Sequence, residues 1–109
     1  HFHAADKKYD WHEPSTFPLG YMAQQNVGPG VSIRLEPGDI LGLISDGIYE
    51  YENEVGLQFG QKGVRSVIDA MPGGKAEELV PAIMHAARMH GGSAPQADDI
   101  TIVLVRRNF

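Results

Sequence analysis

The sequence predicts an α+β domain: an antiparallel β-sheet packed with a pair of consecutive helices. Three observations predict it. Val31, Ile33 and Leu35 alternate with polar residues, the period of a half-buried strand. Two continuous apolar runs, Ile40 to Ile44 and Ile100 to Val105, read as buried strands. Between those runs, apolar residues recur twice at helical spacing, each time followed by a glycine-rich break. Strands, then two helices, then a strand place the helices together on one side of a sheet.

Taken in order, His1 to Ala4 reads as a strand end, Lys7-Lys8 as a turn, and Tyr9 to His12 as a short return strand stopped by Glu13-Pro14. Pro14, Pro18, Gly20, Gly28, Pro29 and Gly30 then punctuate a long loop. The Val31–Leu35 strand enters Glu36-Pro37-Gly38-Asp39, a turn in which proline presets φ and glycine accepts φ > 0. Ile40 to Ile44 follows as a strand covered on both faces. The two strands are expected to form an antiparallel hairpin with Asp46 at its far end.

Gly60 can cap a helix carrying Val64, Val67, Ile68 and Met71 on one face, stopped by Pro72-Gly73-Gly74. A second helix aligns Ala76, Leu79, Val80, Ile83 and Ala87 and ends at Gly91-Gly92. Pro81 constrains its start, since an interior proline costs about 3 kcal/mol. Either the helix begins near Glu77 or Glu78, or it kinks at Pro81. The last strand is Ile100 to Val105, after which Arg106-Arg107 leaves the core.

Composition narrows the function classes. A length of 109 residues allows one domain, and 42% hydrophobic with 21% charged residues is ordinary for a globular chain. A formal charge of -5 and scattered Lys62, Lys75, Arg106 and Arg107 argue against nucleic-acid binding. The absence of cysteine excludes disulfides and thiolate metal sites and fits a reducing, cytoplasmic setting. No apolar run approaches the roughly 18 residues of a membrane span.

Two acidic clusters adjoin the apolar strands: Ser45-Asp46-Gly47 after the first, Asp98-Asp99-Ile100-Thr101 at the start of the last. A carboxylate at a buried strand end is costly unless neutralised, and a hard divalent cation neutralises it through oxygen ligands. Gly47 removes a side chain where substrate, water or a loop must approach. Thr101 can orient the second cluster by hydrogen bonding. Asp-Gly is also a common turn and Asp-Asp a common solvated pair, so the spacing alone leaves both readings open.

The run from Leu35 to Glu50, with Glu36-Pro37-Gly38-Asp39 leading into Ser45-Asp46-Gly47, resembles the bacterial SpoIIE/RsbU-type phosphatases of the PPM (type 2C) class. Pro18-Leu19-Gly20, Phe59-Gly60 and Pro95-Gln96-Ala97-Asp98-Asp99-Ile100-Thr101 match further motifs in the family's order. The resemblance implies half of an α/β/β/α sandwich and hydrolysis of phosphoserine or phosphothreonine by water held between two Mg²⁺ or Mn²⁺ ions. It implies Asp46 and Asp98 as metal ligands, with Gly47, Asp99 and Thr101 in support and no further catalytic side chain. Asp99 stands where eukaryotic relatives carry asparagine.

The family's bridging aspartate has no counterpart before Asp46, where Asp6, Asp10 and Asp39 lie in turn-like contexts. Residues 1–109 are accordingly expected to be the C-terminal portion of such a domain. The metal site would be completed by residues outside this chain, and activity of the chain alone is open. The implied substrate is a phosphorylated regulatory protein such as an anti-sigma-factor antagonist. A sheet face left uncovered would recruit a second copy or another polypeptide. The alternatives are a non-catalytic interaction module that keeps the phosphatase scaffold, or a structural domain with no site.

Other features read as ordinary. His85 and His90 are five residues apart and share no helix face, and His1 and His3 read as solvated or locally hydrogen-bonded, so no zinc site is expected. His12 carries no signal. Glu50, Glu52 and Glu54 read as a solvated face, with an outer-shell role open to Glu50. Gly28-Pro29-Gly30 is a turn rather than a phosphate loop, and Tyr9 and Trp11 are packing residues.

Overall fold

A computed structural model describes residues 1–23 and 26–109. The elements are β1 (Phe2–His3), β2 (Lys8–Tyr9), β3 (Ile40–Ile44), α1 (Asp46–Tyr49), α2 (Gly60–Ala70), α3 (Ala76–Gly91) and β4 (Ile102–Arg106). The four strands form one antiparallel sheet in the order β2-β1-β3-β4. The α+β arrangement with paired helices is therefore present.

Apolar residues of β3, α2 and α3 make the core. Ile48, Leu79, Ile83 and Ala87 are fully buried, with Ile40, Phe59, Val64 and Ile68 nearly so. Ile44, Ile102 and Leu104 pack against this cluster from the sheet, while Val67 and Met71 pack against it from α2. The opposite sheet face is bare: Leu43 is 62% exposed, Val103 47% and Val105 50%. β3 and β4 are thus covered on one face, not on both as their continuous apolar runs imply. Alternation is hidden in such runs because the uncovered positions are apolar too.

The expected strand at Val31–Leu35 is absent, and residues 26–36 join no ladder. β4 takes the whole of one edge of β3, from Ile40↔Arg106 to Ile44↔Ile102, and Phe2 takes Ile40 on the other. A hairpin partner entering from the Glu36–Asp39 turn would need that second position. The turn itself forms, closed by Asp39 N–H to Glu36 O at 2.9 Å with Gly38 at φ +90°. It is tied to the end of β4: Gly38 N–H donates to Arg107 O, Arg107 N–H to Asp39 O, and the Arg107 guanidinium to Leu35 O.

The first hairpin is present with shifted bounds. Its turn occupies residues 4–7, Lys8 is in the return strand, and Lys7 takes φ +56°. Reciprocal bonds between His1 and Asp10, each 2.8 Å, carry the pairing one step past Tyr9, after which Trp11 stacks on Tyr9 and meets the Tyr49 ring edge-on at 5.9 Å. The long loop expected from Pro14 to Gly30 carries no helix or strand among its described residues, and positions 24 and 25 lie outside them.

Both long helices stand where their periodicity puts them. Phe59 rather than Gly60 is the capping residue of α2, and Gly60 is its first residue, at φ +64°. α3 begins at Ala76, with the Glu78 carboxylate accepting from the Lys75 N–H at 2.9 Å. Pro81 consequently lies inside the helix. It tolerates this position because Pro81 and Glu77, whose carbonyl loses its donor, both face solvent. Arg106 does not leave the core: it ends β4 and its guanidinium donates to the carbonyls of Gly73 and Gly74, pinning the α2–α3 connection.

Candidate functional site

The ladder between β3 and β4 carries the two acidic clusters to the same end of the sheet. Past Ile44↔Ile102 it continues for one more step: Ser45 N–H donates to Thr101 O at 2.9 Å, and Thr101 N–H donates to Ser45 Oγ at 2.9 Å. The Ser45 hydroxyl in turn donates to Asp99 O at 3.3 Å. Ser45, extended at φ -75° and ψ 160°, then leads into α1, whose first residue is Asp46.

Gly47 is buried directly against the other cluster. A Cβ at this position would lie 2.1 Å from Asp99 O, 2.9 Å from Asp99 C and 3.3 Å from Asp98 O. The missing side chain is what allows the Asp46-Gly47 and Asp98-Asp99 backbones to touch. The requirement read from the sequence as close approach is therefore met by the chain's own second cluster.

Asp46, Asp98 and Asp99 are exposed. This corrects the argument that strand-end burial makes these carboxylates costly: they need no neutralising partner to be stable, and they are open to one. Asp98 Oδ1 accepts from Asp99 N–H at 2.7 Å, and Asp98 O accepts from Gln96 Nε2 at 2.9 Å, which folds the 96–99 segment onto itself. Asp46 faces the hollow lined by Trp11, Glu13, Ile44 and Tyr49, whereas Asp98 faces one lined by Gly47, Tyr51, Glu52 and Glu54. Glu50 borders both. Partial burial raises the Tyr49 hydroxyl pKa, and the charges of Asp46 and Glu13 push it the same way.

Hard carboxylate oxygens, exposed and backed by a side-chain-free glycine, suit Mg²⁺ or Mn²⁺, which need only one or two protein carboxylates beside water. Among the described residues, the group of three ligand-type side chains with ligand atoms within 4.8 Å is instead His1, His3 and Asp10. Thr101 contributes through its backbone amide and carbonyl. Ser45, which had no role assigned from the sequence, makes the reciprocal bonds; its signal was its place beside Asp46. Glu54 is tied to Ser93 through the backbone N–H and hydroxyl, so it belongs to the surface rather than to a metal set.

One buried carboxylate was not anticipated. Asp39 is 2% exposed and accepts hydrogen bonds from Ala4 N–H and Glu36 N–H, each at 2.9 Å. Burial pushes its carboxyl pKa up, but those amides, with the charges of His3 and Arg107, outweigh burial and hold it below the usual carboxylate range. His1 Nε2 lies 3.0 Å from Asp39 Oδ2, so His1 is held by a residue distant in sequence and is not solvated.

No helix among the described residues is long and apolar enough to cross a membrane. No curated protein and no solved structure matched the sequence. Residues 2–108 match the family described as Stage II sporulation protein E (SpoIIE). That match spans nearly the whole chain, including the Ser45–Gly47 and Asp98–Thr101 segments that the sheet brings together. The chain belongs to the SpoIIE family, and its domain is of the PPM phosphatase type.

Proposed function

We propose that this domain is a metal-dependent protein serine/threonine phosphatase in which Asp46 and Asp98 supply part of a two-metal site. The observation that carries the reading is the contact of the Asp46-Gly47 backbone with the Asp98-Asp99 backbone at one end of β3 and β4. Mg²⁺ or Mn²⁺, when bound, would lower the pKa of attacking water and clamp the phosphoryl oxygens. The chain's own contribution is positional. Asp46 and Asp98 would hold the ions, Asp99 would support Asp98, and Gly47, lacking a side chain, lets the two segments close on one another. Ser45 and Thr101 lock the strands that carry them.

Two carboxylates are too few for two ions, and further ligands would come from residues outside this chain. The substrate in this reading is a phosphoserine or phosphothreonine on a regulatory protein, such as an anti-sigma-factor antagonist, in the cytoplasm. The bare sheet face of Leu43, Val103 and Val105 supports association with a second copy or another polypeptide. The same face favours the second reading, a non-catalytic interaction module that retains the scaffold.

Mn²⁺-dependent hydrolysis of a chromogenic phosphomonoester, with an Asp46→Ala/Asp98→Ala control, tests the proposal. Metal-dependent turnover that vanishes in the double variant supports it, and turnover indifferent to both substitutions refutes it. Absence of metal-dependent turnover leaves the interaction module as the function.

A further inference from the structure

We propose that His1, His3 and Asp10 form a binding site for one borderline divalent cation of the zinc type, separate from the Asp46/Asp98 site. The three side chains come from the first hairpin and each offers a ligand atom within 4.8 Å of the other two. The His1 and His3 rings lie 3.9 Å apart between centroids, and His3 Nε2 is 2.7 Å from Asp10 Oδ2. Two imidazoles and one carboxylate are the donors that zinc takes in three-residue sites, with water in the fourth place. Hard cations such as Mg²⁺ select oxygen donors and are disfavoured here.

A second observation is independent of the cluster's own contacts. Asp39, buried and held ionised by two backbone amides, faces His1 from the β3 turn. An ionised carboxylate only accepts, so His1 Nε2 must donate to it, and coordination through Nδ1 preserves that bond. A carboxylate behind a ligating histidine fixes the ring and raises its basicity. Asp10 is 60% exposed on its side chain and His3 33%, so both can adjust from their mutual hydrogen bond to a shared ion.

The site lies at the start of β3, whereas Asp46 lies beyond its end. The intervening strand is about 17 Å long at roughly 3.4 Å per residue, so one ion cannot serve both. A cation here would clip the β1–β2 hairpin to the Glu36–Asp39 turn and make the fold's least extensive strand pairing, Phe2↔Ile40, depend on metal.

The test is calorimetric titration of the chain with Zn²⁺, its α-amino group acetylated to remove the terminal amine as a ligand, together with thermal melts. The expected result is one equivalent bound, a rise in Tm, and at least a ten-fold loss of affinity in Asp10→Asn and in His3→Ala. Asp46→Asn/Asp98→Asn should bind zinc as the parent does. Because Asp10 is exposed, Asp10→Asn remains informative if His3→Ala fails to fold. Affinity unchanged in Asp10→Asn, loss of binding on acetylation, or loss in the Asp46/Asp98 variant would each overturn the assignment.

Discussion

Replacing Gly47 with alanine should be the most damaging single-methyl change near the candidate site. The added Cβ would sit 2.1 Å from Asp99 O and 2.9 Å from Asp99 C. Carbon and oxygen in ordinary contact are separated by about 3.3 Å or more, so the overlap exceeds about 1 Å. Neither atom belongs to a flexible side chain, and relief requires the Asp98-Asp99 backbone to move away from α1. Overpacking a well-filled position costs about 1–3 kcal/mol, and backbone on both sides puts this case at about 3 kcal/mol. For a chain of this size that is a fall in Tm of roughly 12–20 °C. Thermal denaturation followed by circular dichroism measures it, with Gly28→Ala as control, since a Cβ there meets nothing within 4 Å. A Gly47→Ala variant that melts within 3 °C of the parent would refute the close-approach argument.

Core truncation at Ile83, which is fully buried, should cost about 2–5 kcal/mol in urea denaturation. Asp39→Asn should cost about 1–3 kcal/mol at pH 7, because two buried amides lose an ionised acceptor. Its pH dependence has a definite sign. The native pKa of Asp39 is depressed, so its contribution is fully present above the unfolded value of about 4 and disappears as pH falls through the native value. The stability gap between parent and variant should therefore shrink in denaturation curves taken below about pH 4. On the bare face, Leu43→Lys with Val105→Lys should change monomer stability by no more than about 0.5 kcal/mol per site and, if the proposed association uses this face, abolish it in sedimentation velocity.

Helices α2 and α3 were legible because a buried stripe writes its period directly into the sequence: Val64 and Ile68, then Leu79, Ile83 and Ala87, are the residues that the core encloses. The Val31–Leu35 alternation was equally clear and yet gave no strand. Ile33 and Leu35 are half-buried while Val31 is 75% exposed, so alternation recorded which residues face inward without recording a hydrogen-bonding partner. α1 escaped notice because four residues are too few to show a period. Asp39 read as a turn residue, correctly, but its burial depends on Ala4 and His1, more than thirty residues away. The clusters around Asp46 and Asp98 stood out as candidate ligands, whereas their meeting is set by strand pairing, which local pattern does not encode.

The Ile44↔Ile102 pairing works as a vernier between two distant parts of the chain. Sliding β4 by a single residue would turn Leu104 outward and Val105 inward, reversing every side chain of the strand. A slide of two would keep the faces but carry Asp98 about 7 Å along the sheet relative to Asp46, undoing the backbone contact at Gly47. Insertions within either strand should thus pull the two acidic segments apart even when the fold survives, whereas insertions in the loops at the opposite end should leave their juxtaposition untouched. The meeting of the two acidic segments is a length measured along the strands, and β-sheet register is the ruler.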